Sequence, residues 1–171
     1  MLRSLLLPGV ALALACSTVI VMQAAVPEDG KEETTPRITT GPEDRKELVK
    51  PGAIDKDAPM EFTTTKSGLK YRILRASKKN KPKADQGVEV HYKGWLDDKT
   101  VFDSSYRRGK RIKFMLNGVI PGWSEGLQLV GAGGMIELEI PANLGYGLRG
   151  VPGVIPPNAN LHFLVELYDI N

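Results

Sequence analysis

Residues 119–131, Val-Ile-Pro-Gly-Trp-Ser-Glu-Gly-Leu-Gln-Leu-Val-Gly, decide the fold of this chain. Pro121 predicts a helix start, because the fixed φ of proline suits the first helical position. Trp123, Leu127 and Val130 then recur at helical spacing and form one apolar stripe, and Gly131 predicts the end of the helix. A helix with a single apolar stripe must pack on an apolar surface, which the flanking segments have to supply.

Both flanks alternate apolar and polar residues, the pattern of strands with one buried face. The alternation occurs in segments 69–73, 88–92, 112–116, 136–140 and 161–167, and residues 100–102 predict a further short strand. Asp97 and Asp98 predict a hairpin turn, whereas 103–111 and 143–160 have the composition of loops. The sequence therefore predicts an α+β domain, in which an antiparallel sheet carries one short α-helix across its apolar face.

The first part of the 171-residue chain has the composition of a targeting segment. In residues 1–26, Arg3 precedes a mainly apolar run, which predicts a signal peptide or an N-terminal membrane anchor. Three forms stay open: a cleaved signal peptide, an uncleaved anchor, and a lipoprotein acylated at Cys16. Each of them exports the rest of the chain to the periplasm or cell envelope, either free or membrane-anchored. Residues 168–171 carry no endoplasmic-reticulum retention signal, which favours a bacterial envelope.

The second part, residues 27–60, combines charges of both signs with five prolines and no aromatic residue before Phe62. Such a segment buries too little apolar surface to offset the entropy of ordering it. We therefore expect a disordered linker over 27–60. The composition changes at Glu61, so residues 61–171 are expected to form the folded domain.

Composition and spacing argue against several function classes. A formal net charge of +3 is too small to indicate nucleic-acid binding. His91 and His162 fall on the polar phase of their strands, where we expect them to face solvent. No set of cysteines or carboxylates stands at ligand spacing, so we expect no metal site and no cofactor. No serine has a partner histidine at a recognisable spacing, and the domain has no cysteine, so covalent catalysis is not expected.

The informative side chains are aromatic and apolar residues beside glycine and proline turns. Phe102 is followed by Asp103 at the mouth of a loop, and Tyr146 stands between two glycines in an irregular loop. Neither position is one where a fold needs a large side chain for packing. Together they predict an apolar pocket with two polar tips, the Asp103 carboxylate and the Tyr146 hydroxyl. Such a pocket suits an uncharged, apolar ligand, and a proline in a peptide is one.

Five short motifs follow one another in an order and spacing that resemble the FKBP-type peptidyl-prolyl cis-trans isomerases, and in particular their exported bacterial branch. The motifs are Val90-His91-Tyr92-Lys93-Gly94, Phe102-Asp103-Ser104-Ser105, Val119-Ile120-Pro121-Gly122-Trp123, Tyr146-Gly147 and Val154-Ile155-Pro156-Pro157. The resemblance covers about residues 67–171. It implies the family's fold, a curved antiparallel half-barrel wrapped around one short α-helix.

The resemblance also implies the roles of individual residues. The residues expected to act on the substrate are Asp103, Tyr146, Phe102, Ile120 and Phe163, with the Tyr146 hydroxyl and the Ile120 N–H hydrogen-bonding peptide carbonyls. The residues expected to bind the substrate are Tyr92, Phe114, Val119, Trp123, Val154, Ile155, Ile112 and Arg108. Trp123 would form the pocket floor, and Arg108 would stand near Asp103.

The implied activity is cis-trans isomerisation of X–Pro bonds in exported proteins, with no covalent step. A dry apolar pocket penalises the planar, charge-separated amide more than the twisted amide. Expected partners are proline-containing polypeptides and macrolides such as tacrolimus or rapamycin. No nucleic acid is expected, the membrane is contacted only through the N-terminal segment, and the protein is expected to be a monomer. Two alternatives stay open: a proline-binding holdase chaperone with little isomerase activity, and a surface adaptor that docks through the basic tract 66–83.

Overall fold

The alternating segments of the sequence form one antiparallel sheet in the computed structural model, which describes residues 41–171. Within these residues the strands are β1 Thr63–Thr64, β2 Lys70–Arg75, β3 Gly87–Trp95, β4 Val101–Ser104, β5 Ile112–Met115, β6 Met135–Ile140 and β7 Leu161–Ile170. Their order is β1-β2-β6-β7-β3-β4, and β5 pairs with the first half of β3. The predicted α+β class, with an antiparallel sheet and a short helix, is confirmed.

The core lies between one face of this sheet and a short helix, α2, Pro121–Leu127. Ile120 precedes the helix in an extended conformation, and Pro121 is its first residue. Two glycines let the helix lie directly on β6, because a Cβ at Gly122 would stand 2.5 Å from Ile140 and a Cβ at Gly126 would stand 2.7 Å from Leu138. The helix ends at Leu127, earlier than the predicted end at Gly131.

A second short helix, α1, Ser105–Arg108, occupies the segment that the sequence predicted as a polar loop. Ser104 caps its N-terminus by accepting a hydrogen bond from the Arg107 N–H, at 3.4 Å. The side chain of Tyr106 is fully buried. The helix therefore has a packing role, on the face of the sheet opposite to α2, that the polar composition around Tyr106 concealed.

Residues 41–60, here named the strap, lie against this second face of the sheet. The N–H of Leu48 donates to Tyr106 O at 3.0 Å, the N–H of Gly52 donates to Glu166 Oε1 at 2.9 Å, and the N–H of Asp55 donates to Leu74 O at 2.8 Å. This differs from the disordered linker expected over 27–60. The strap buries few apolar side chains, but polar groups of the sheet and of α1 bind several of its backbone N–H groups and its carboxylates Asp44 and Glu47. The predicted targeting segment 1–26 and residues 27–40 lie outside the described residues.

Helix α1 and Tyr168 also cover a histidine that was expected to face solvent. His91 is only 5% exposed, its ring stacks on Tyr106 with centroids 4.8 Å apart, and its Nδ1 lies 2.8 Å from Ser105 Oγ. The prediction for His91 is wrong because the polar phase of its strand is covered. His162 is partly covered, and its Nε2 lies 2.6 Å from Asp97 Oδ1. Across residues 41–171, no helix combines the length and the apolar character needed to cross a bilayer.

Candidate active site

A cavity of about 440 Å³ opens beside α2, on the core face of the sheet. Its lining residues are Tyr92, Phe102, Asp103, Phe114, Gly118, Val119, Ile120, Trp123, Tyr146 and Phe163. Nine of the thirteen residues proposed from the sequence are among them. Gly118 was not proposed; it directly precedes the motif at Val119, and it has no side chain that could have drawn attention to it.

The floor of the cavity is the indole of Trp123, surrounded by three other aromatic rings. The ring centroids of Tyr92, Phe114 and Phe163 lie 5.2, 5.2 and 5.1 Å from that of Trp123. All three contacts are edge-to-face, the arrangement that aromatic quadrupoles favour. Trp123 is 5% exposed, so the indole offers the cavity a rigid apolar surface.

The wall beside β3 depends on a residue without a side chain. A Cβ at Gly94 would lie 2.6 Å from the ring of Phe102 and 2.7 Å from the ring of Phe163. The two rings therefore occupy the space above the β3 backbone, with their centroids 5.6 Å apart. The strand alternation of β3 positions Tyr92 on the same face, two residues before Gly94.

Polar groups are gathered at one edge of the cavity. The Tyr92 hydroxyl donates a short hydrogen bond to Asp103 Oδ2, and Arg108 donates to Asp103 Oδ1 and, at 3.1 Å, to the Tyr92 oxygen. We call these three residues the rim network. Burial raises the pKa of Tyr92, and the hydrogen bond to the Asp103 carboxylate adds to this, so the pKa reaches about 12. The phenol therefore stays protonated at neutral pH.

Two opposing effects set the ionisation of Asp103. Burial raises its pKa, but the hydrogen bonds from Arg108 and Tyr92, with the charge of Arg108, outweigh burial and hold the pKa below its ordinary value of 3.8. The Asp103 hydrogen bond in turn raises the pKa of Arg108. The rim network thus consists of a carboxylate, a guanidinium and a neutral phenol, with little net charge facing the cavity.

Three residues that line the cavity, Ile120, Tyr146 and Trp123, carry a hydrogen-bond donor without a partner among residues 41–171, and that of Trp123, the indole N–H, is buried. The backbone N–H of Ile120, just before α2, makes no hydrogen bond there, because N–H groups at the start of a helix have no carbonyl one turn earlier to bind. The hydroxyl of Tyr146 also makes none, and this residue is 43% exposed. The Ile120 N–H and the Tyr146 hydroxyl can therefore bind a carbonyl oxygen of a ligand.

Four of the proposed residues do not line the cavity. Arg108 stands behind its edge, where it contacts Asp103 and the Tyr92 ring, whose centroid lies 5.8 Å from the guanidinium carbon. Ile155 is 5% exposed and packs into the core, while Val154 is 52% exposed in the same loop as Tyr146. Ile112 pairs with Val90 in the β5–β3 ladder and is partly buried there.

Other features of the described residues fit a ligand site less well. A larger cavity, of about 680 Å³, lies under the strap, but its lining residues belong to the strap except for Lys93. Its buried carboxylates, Asp44 and Glu47, are already paired with Arg107 and Lys93. Within 41–171, no three histidine, cysteine or carboxylate side chains cluster as a metal site would require. The basic tract 66–83 contributes nothing to the aromatic cavity.

Comparison with known proteins identifies what this arrangement resembles. Residues 78–168 match the family model of the FKBP-type peptidyl-prolyl cis-trans isomerases, labelled FKBP_C. The chain is 51% identical over 107 residues to the FKBP-type peptidyl-prolyl cis-trans isomerase FkpA of Escherichia coli K12, covering 63% of this chain and 39% of that protein. It is 43% identical over 107 residues to the peptidyl-prolyl cis-trans isomerase Mip of Coxiella burnetii, covering 63% of this chain and 46% of Mip.

Solved structures agree with the sequence comparison. The crystal structure of FkpA from E. coli superposes with a TM-score of 0.63 at 49% identity, covering 64% of this chain and 51% of that one. A peptidyl-prolyl cis-trans isomerase from Pseudomonas syringae superposes with a TM-score of 0.61 at 33% identity, covering 64% of this chain and 80% of that one. The matched part of FkpA and of Mip is less than half of either protein's length.

Proposed function

This chain belongs to the FKBP-type peptidyl-prolyl cis-trans isomerase family, and from that premise we propose that it isomerises X–Pro bonds in the cavity above Trp123. The observation that supports the proposal is the combination of an aromatic cavity with two unused hydrogen-bond donors, the Ile120 N–H and the Tyr146 hydroxyl. An apolar ring with a carbonyl group beside it is the ligand that such a combination fits.

The chemistry requires rotation about an amide without breaking a bond. Resonance makes the amide planar and sets a barrier of about 18–20 kcal/mol, and uncatalysed X–Pro exchange takes tens to hundreds of seconds. The planar amide is more charge-separated than the twisted one, so a dry cavity destabilises the planar form more. A barrier lowered by about 5 kcal/mol would accelerate exchange by close to four powers of ten.

In this mechanism the aromatic residues hold the prolyl ring while the rest of the peptide turns. Trp123, Phe102 and Phe163 enclose the ring, and the Ile120 N–H and the Tyr146 hydroxyl bind carbonyl oxygens. The rim network fixes the edge of the cavity. The charge of the Asp103 carboxylate is balanced by that of Arg108, and the carboxylate accepts a hydrogen bond from the Tyr92 hydroxyl. The edge is therefore polar without carrying a strong net charge.

A protease-coupled assay on a short peptide with Leu or Phe before Pro tests the proposal. Phe102→Ala removes a wall of the cavity and should lower kcat/KM by about a hundredfold, with little loss of stability because Phe102 is only partly buried. Tyr146→Phe should lower kcat/KM by about tenfold, the effect of one hydrogen bond. Tyr71→Phe is the matched control, since Tyr71 packs on the core outside the cavity. Full activity in Phe102→Ala would rule out this site.

Macrolides offer a second probe of the same cavity. Tacrolimus and rapamycin are largely apolar and carry carbonyl groups, so we propose that they occupy the cavity and compete with the peptide. Titration calorimetry of the wild-type chain and of Trp123→Leu measures this. Binding that survives unchanged in Trp123→Leu would place the macrolide elsewhere.

Exposed apolar side chains near the site support a second candidate function, the binding of unfolded chains. Leu148 is 82% exposed and Val154 is 52% exposed, and both belong to the loop that carries Tyr146. We propose that they contact apolar residues flanking the proline. Leu148→Ser/Val154→Ser should weaken suppression of aggregation of an unfolded protein while activity on a short peptide is retained. An equal loss in both assays would argue for one shared site.

The N-terminal sequence supports a proposal about location. Residues 1–26 have the composition of a targeting segment, so we propose that the domain works in the periplasm or cell envelope. Mass and N-terminal analysis of the protein recovered from its own cells separates the cleaved, acylated and anchored forms. Recovery of the uncleaved chain from the cytoplasm would refute export.

A further inference from the structure

The rim network has a counterpart on the opposite face of the sheet. Neighbouring residues in a strand point to opposite faces, so Lys93 lies behind the sheet where Tyr92 lies in front, and Ser104 lies behind where Asp103 lies in front. In the β3–β4 ladder, Lys93 and Ser104 are register partners. Any group that binds both of them holds together the two strands from which Tyr92 and Asp103 of the rim network project.

Glu47 of the strap is such a group. Its Oε1 lies 3.4 Å from Lys93 Nζ and accepts a hydrogen bond from Ser104 Oγ at 3.3 Å. The Lys93 ammonium also donates to Pro42 O of the strap at 2.9 Å. One carboxylate thus bridges β3 and β4 at the register pair directly behind the site.

The bridge is shielded from water. The Lys93 and Glu47 side chains are 5% and 7% exposed, so their attraction is screened much less than that of surface pairs. The strap also holds the next part of the chain after Ser104: Asp44 pairs with Arg107, and the Leu48 N–H binds Tyr106 O at 3.0 Å. Arg108, the third member of the rim network, is the last residue of this short helix.

We propose that Glu47 is a positioning residue for the isomerase site: by joining Lys93 to Ser104 behind the sheet, it fixes the distance between the Tyr92 hydroxyl and the Asp103 carboxylate in front of it. This inference rests on the function proposed above. Glu47 touches no substrate, and it acts through the two strands. Without it, β3 and β4 can shift relative to each other, and Asp103 loses part of its contact with Tyr92 and Arg108.

Activity is the first measurement, made on the full chain. Glu47→Ala should lower kcat/KM by about tenfold, because small displacements of positioned groups have large effects on rate. Glu47→Gln should recover much of the loss, since its amide oxygen can still accept hydrogen bonds from Lys93 and Ser104. Asp55→Ala is the matched control: Asp55 is another carboxylate of the strap, but it binds the Ala76 N–H, at 2.7 Å, away from β3 and β4. Asp55→Ala should retain wild-type activity.

The pKa of Asp103, measured by NMR of its carboxyl carbon, distinguishes two effects of Glu47→Ala: the displacement of Asp103 and the loss of the negative charge of Glu47. Removing the negative charge of Glu47 would by itself lower the pKa of Asp103. Loosening the hydrogen bonds from Arg108 and Tyr92 would raise it toward the ordinary value of 3.8. If Glu47 positions the rim network, the pKa of Asp103 must rise in Glu47→Ala.

Glu47→Ala leaves the buried Lys93 ammonium without its partner, and this could prevent folding. A double variant keeps the inference testable in that case. Glu47→Ala/Lys93→Met removes both charges, so no unpaired ion is buried. It should fold, lose activity as the single variant does, and raise the pKa of Asp103. Wild-type kcat/KM with an unchanged Asp103 pKa would overturn the inference, as would an equal loss in Asp55→Ala. If the wild-type chain has no isomerase activity, the proposed function fails, and the Asp103 pKa alone decides whether Glu47 positions the rim network.

Discussion

The two faces of the sheet are both covered, but by different kinds of chain. On the core face, a helix with an apolar stripe packs on apolar side chains of the strands, and an aromatic cavity stays open beside it. On the outer face, an extended strap packs through backbone hydrogen bonds, one of them to Glu166, and through the ion pairs of its Glu47 with Lys93 and its Asp44 with Arg107. The core face carries the proposed ligand site, and the outer face carries the strap, which we propose positions the strands of that site.

The two faces are therefore stabilised by different interactions. Burial on the core face is driven by apolar area, which stabilises without requiring exact geometry. On the outer face each buried charge needs its partner, and a missing partner costs more than the pair contributes. We therefore expect the largest losses of stability when a buried charge of the outer face is left without its partner, and losses of activity when the cavity, or a residue that positions its edge, is changed.

The largest effect is expected from Glu166→Ala. Glu166 is 1% exposed and accepts hydrogen bonds from the Gly52 N–H at 2.9 Å and the Tyr106 hydroxyl at 2.7 Å, and it pairs with Arg75 at 2.8 Å. Its loss should lower the free energy of unfolding by about 3–5 kcal/mol, because three groups lose a buried partner at once. Urea unfolding followed by circular dichroism measures the change.

Glu139→Ala is the matched control for the role of the strap. Glu139 also lies on a strand and pairs with a basic residue, Lys70, at 3.4 Å, but both side chains are partly exposed. Its loss should change the free energy of unfolding by less than about 1 kcal/mol. If the two variants lost equal amounts of unfolding free energy, the strap would not shield Glu166 from water.

A smaller effect, on the other face, is expected from Gly94→Ala. The new methyl group would stand within 2.7 Å of Phe102 and Phe163, so both rings must move. Overpacking of this kind should lower the free energy of unfolding by about 1–3 kcal/mol and should also lower kcat/KM, because the displaced rings line the cavity. Gly87→Ala, on the same strand, is the control, since the atom nearest to its Cβ is Met115 Sδ at 3.4 Å. Normal activity in Gly94→Ala would show that the cavity wall tolerates displacement.

The core face could be predicted from the sequence because its signals are local. The alternation of Val88, Val90 and Tyr92 identifies a strand, and the spacing of Trp123 and Leu127 identifies the helix that packs on it. The residues near the cavity were found by their unusual positions, as with Asp103 and Tyr146 beside turns, and their roles were supplied by the resemblance. Phe102 and Trp123 come together as expected, whereas Ile155 is in the core and Ile112 is in a strand ladder.

The outer face could not be predicted in the same way. Alternation tells which residues share a face but not whether water covers that face, so His91 and Glu166 were indistinguishable from solvent-facing residues. The strap has no periodicity and few apolar side chains. Its order comes from partners more than forty residues away in sequence, such as Lys93 for Glu47 and Arg107 for Asp44. No local pattern encodes pairs of this kind.

The smallest expected effect is a dependence of stability on pH that only the outer face should produce. Burial lowers the pKa of His91 below its ordinary value of 6.5; the charge of Arg111 lowers it further, and those of Glu166 and Glu89 oppose this. The unfolded chain therefore binds a proton at His91 more readily than the folded chain does. The sign follows from linkage: the free energy of unfolding should fall as the pH drops below 6.5, and should not depend on His91 above about pH 7.

His91→Asn isolates this contribution, because the Asn amide can keep a hydrogen bond to Ser105 without titrating. Urea unfolding between about pH 5 and 8 should give parallel curves for the two proteins above about pH 7, with the wild-type free energy falling more steeply below 6.5. A variant as steep as the wild type in the lower range would mean that protonation of His91 is no harder in the folded chain than in the unfolded one. His91 would then be accessible to water, and Tyr106 of α1 and Tyr168 would not cover its ring as they do in the structure.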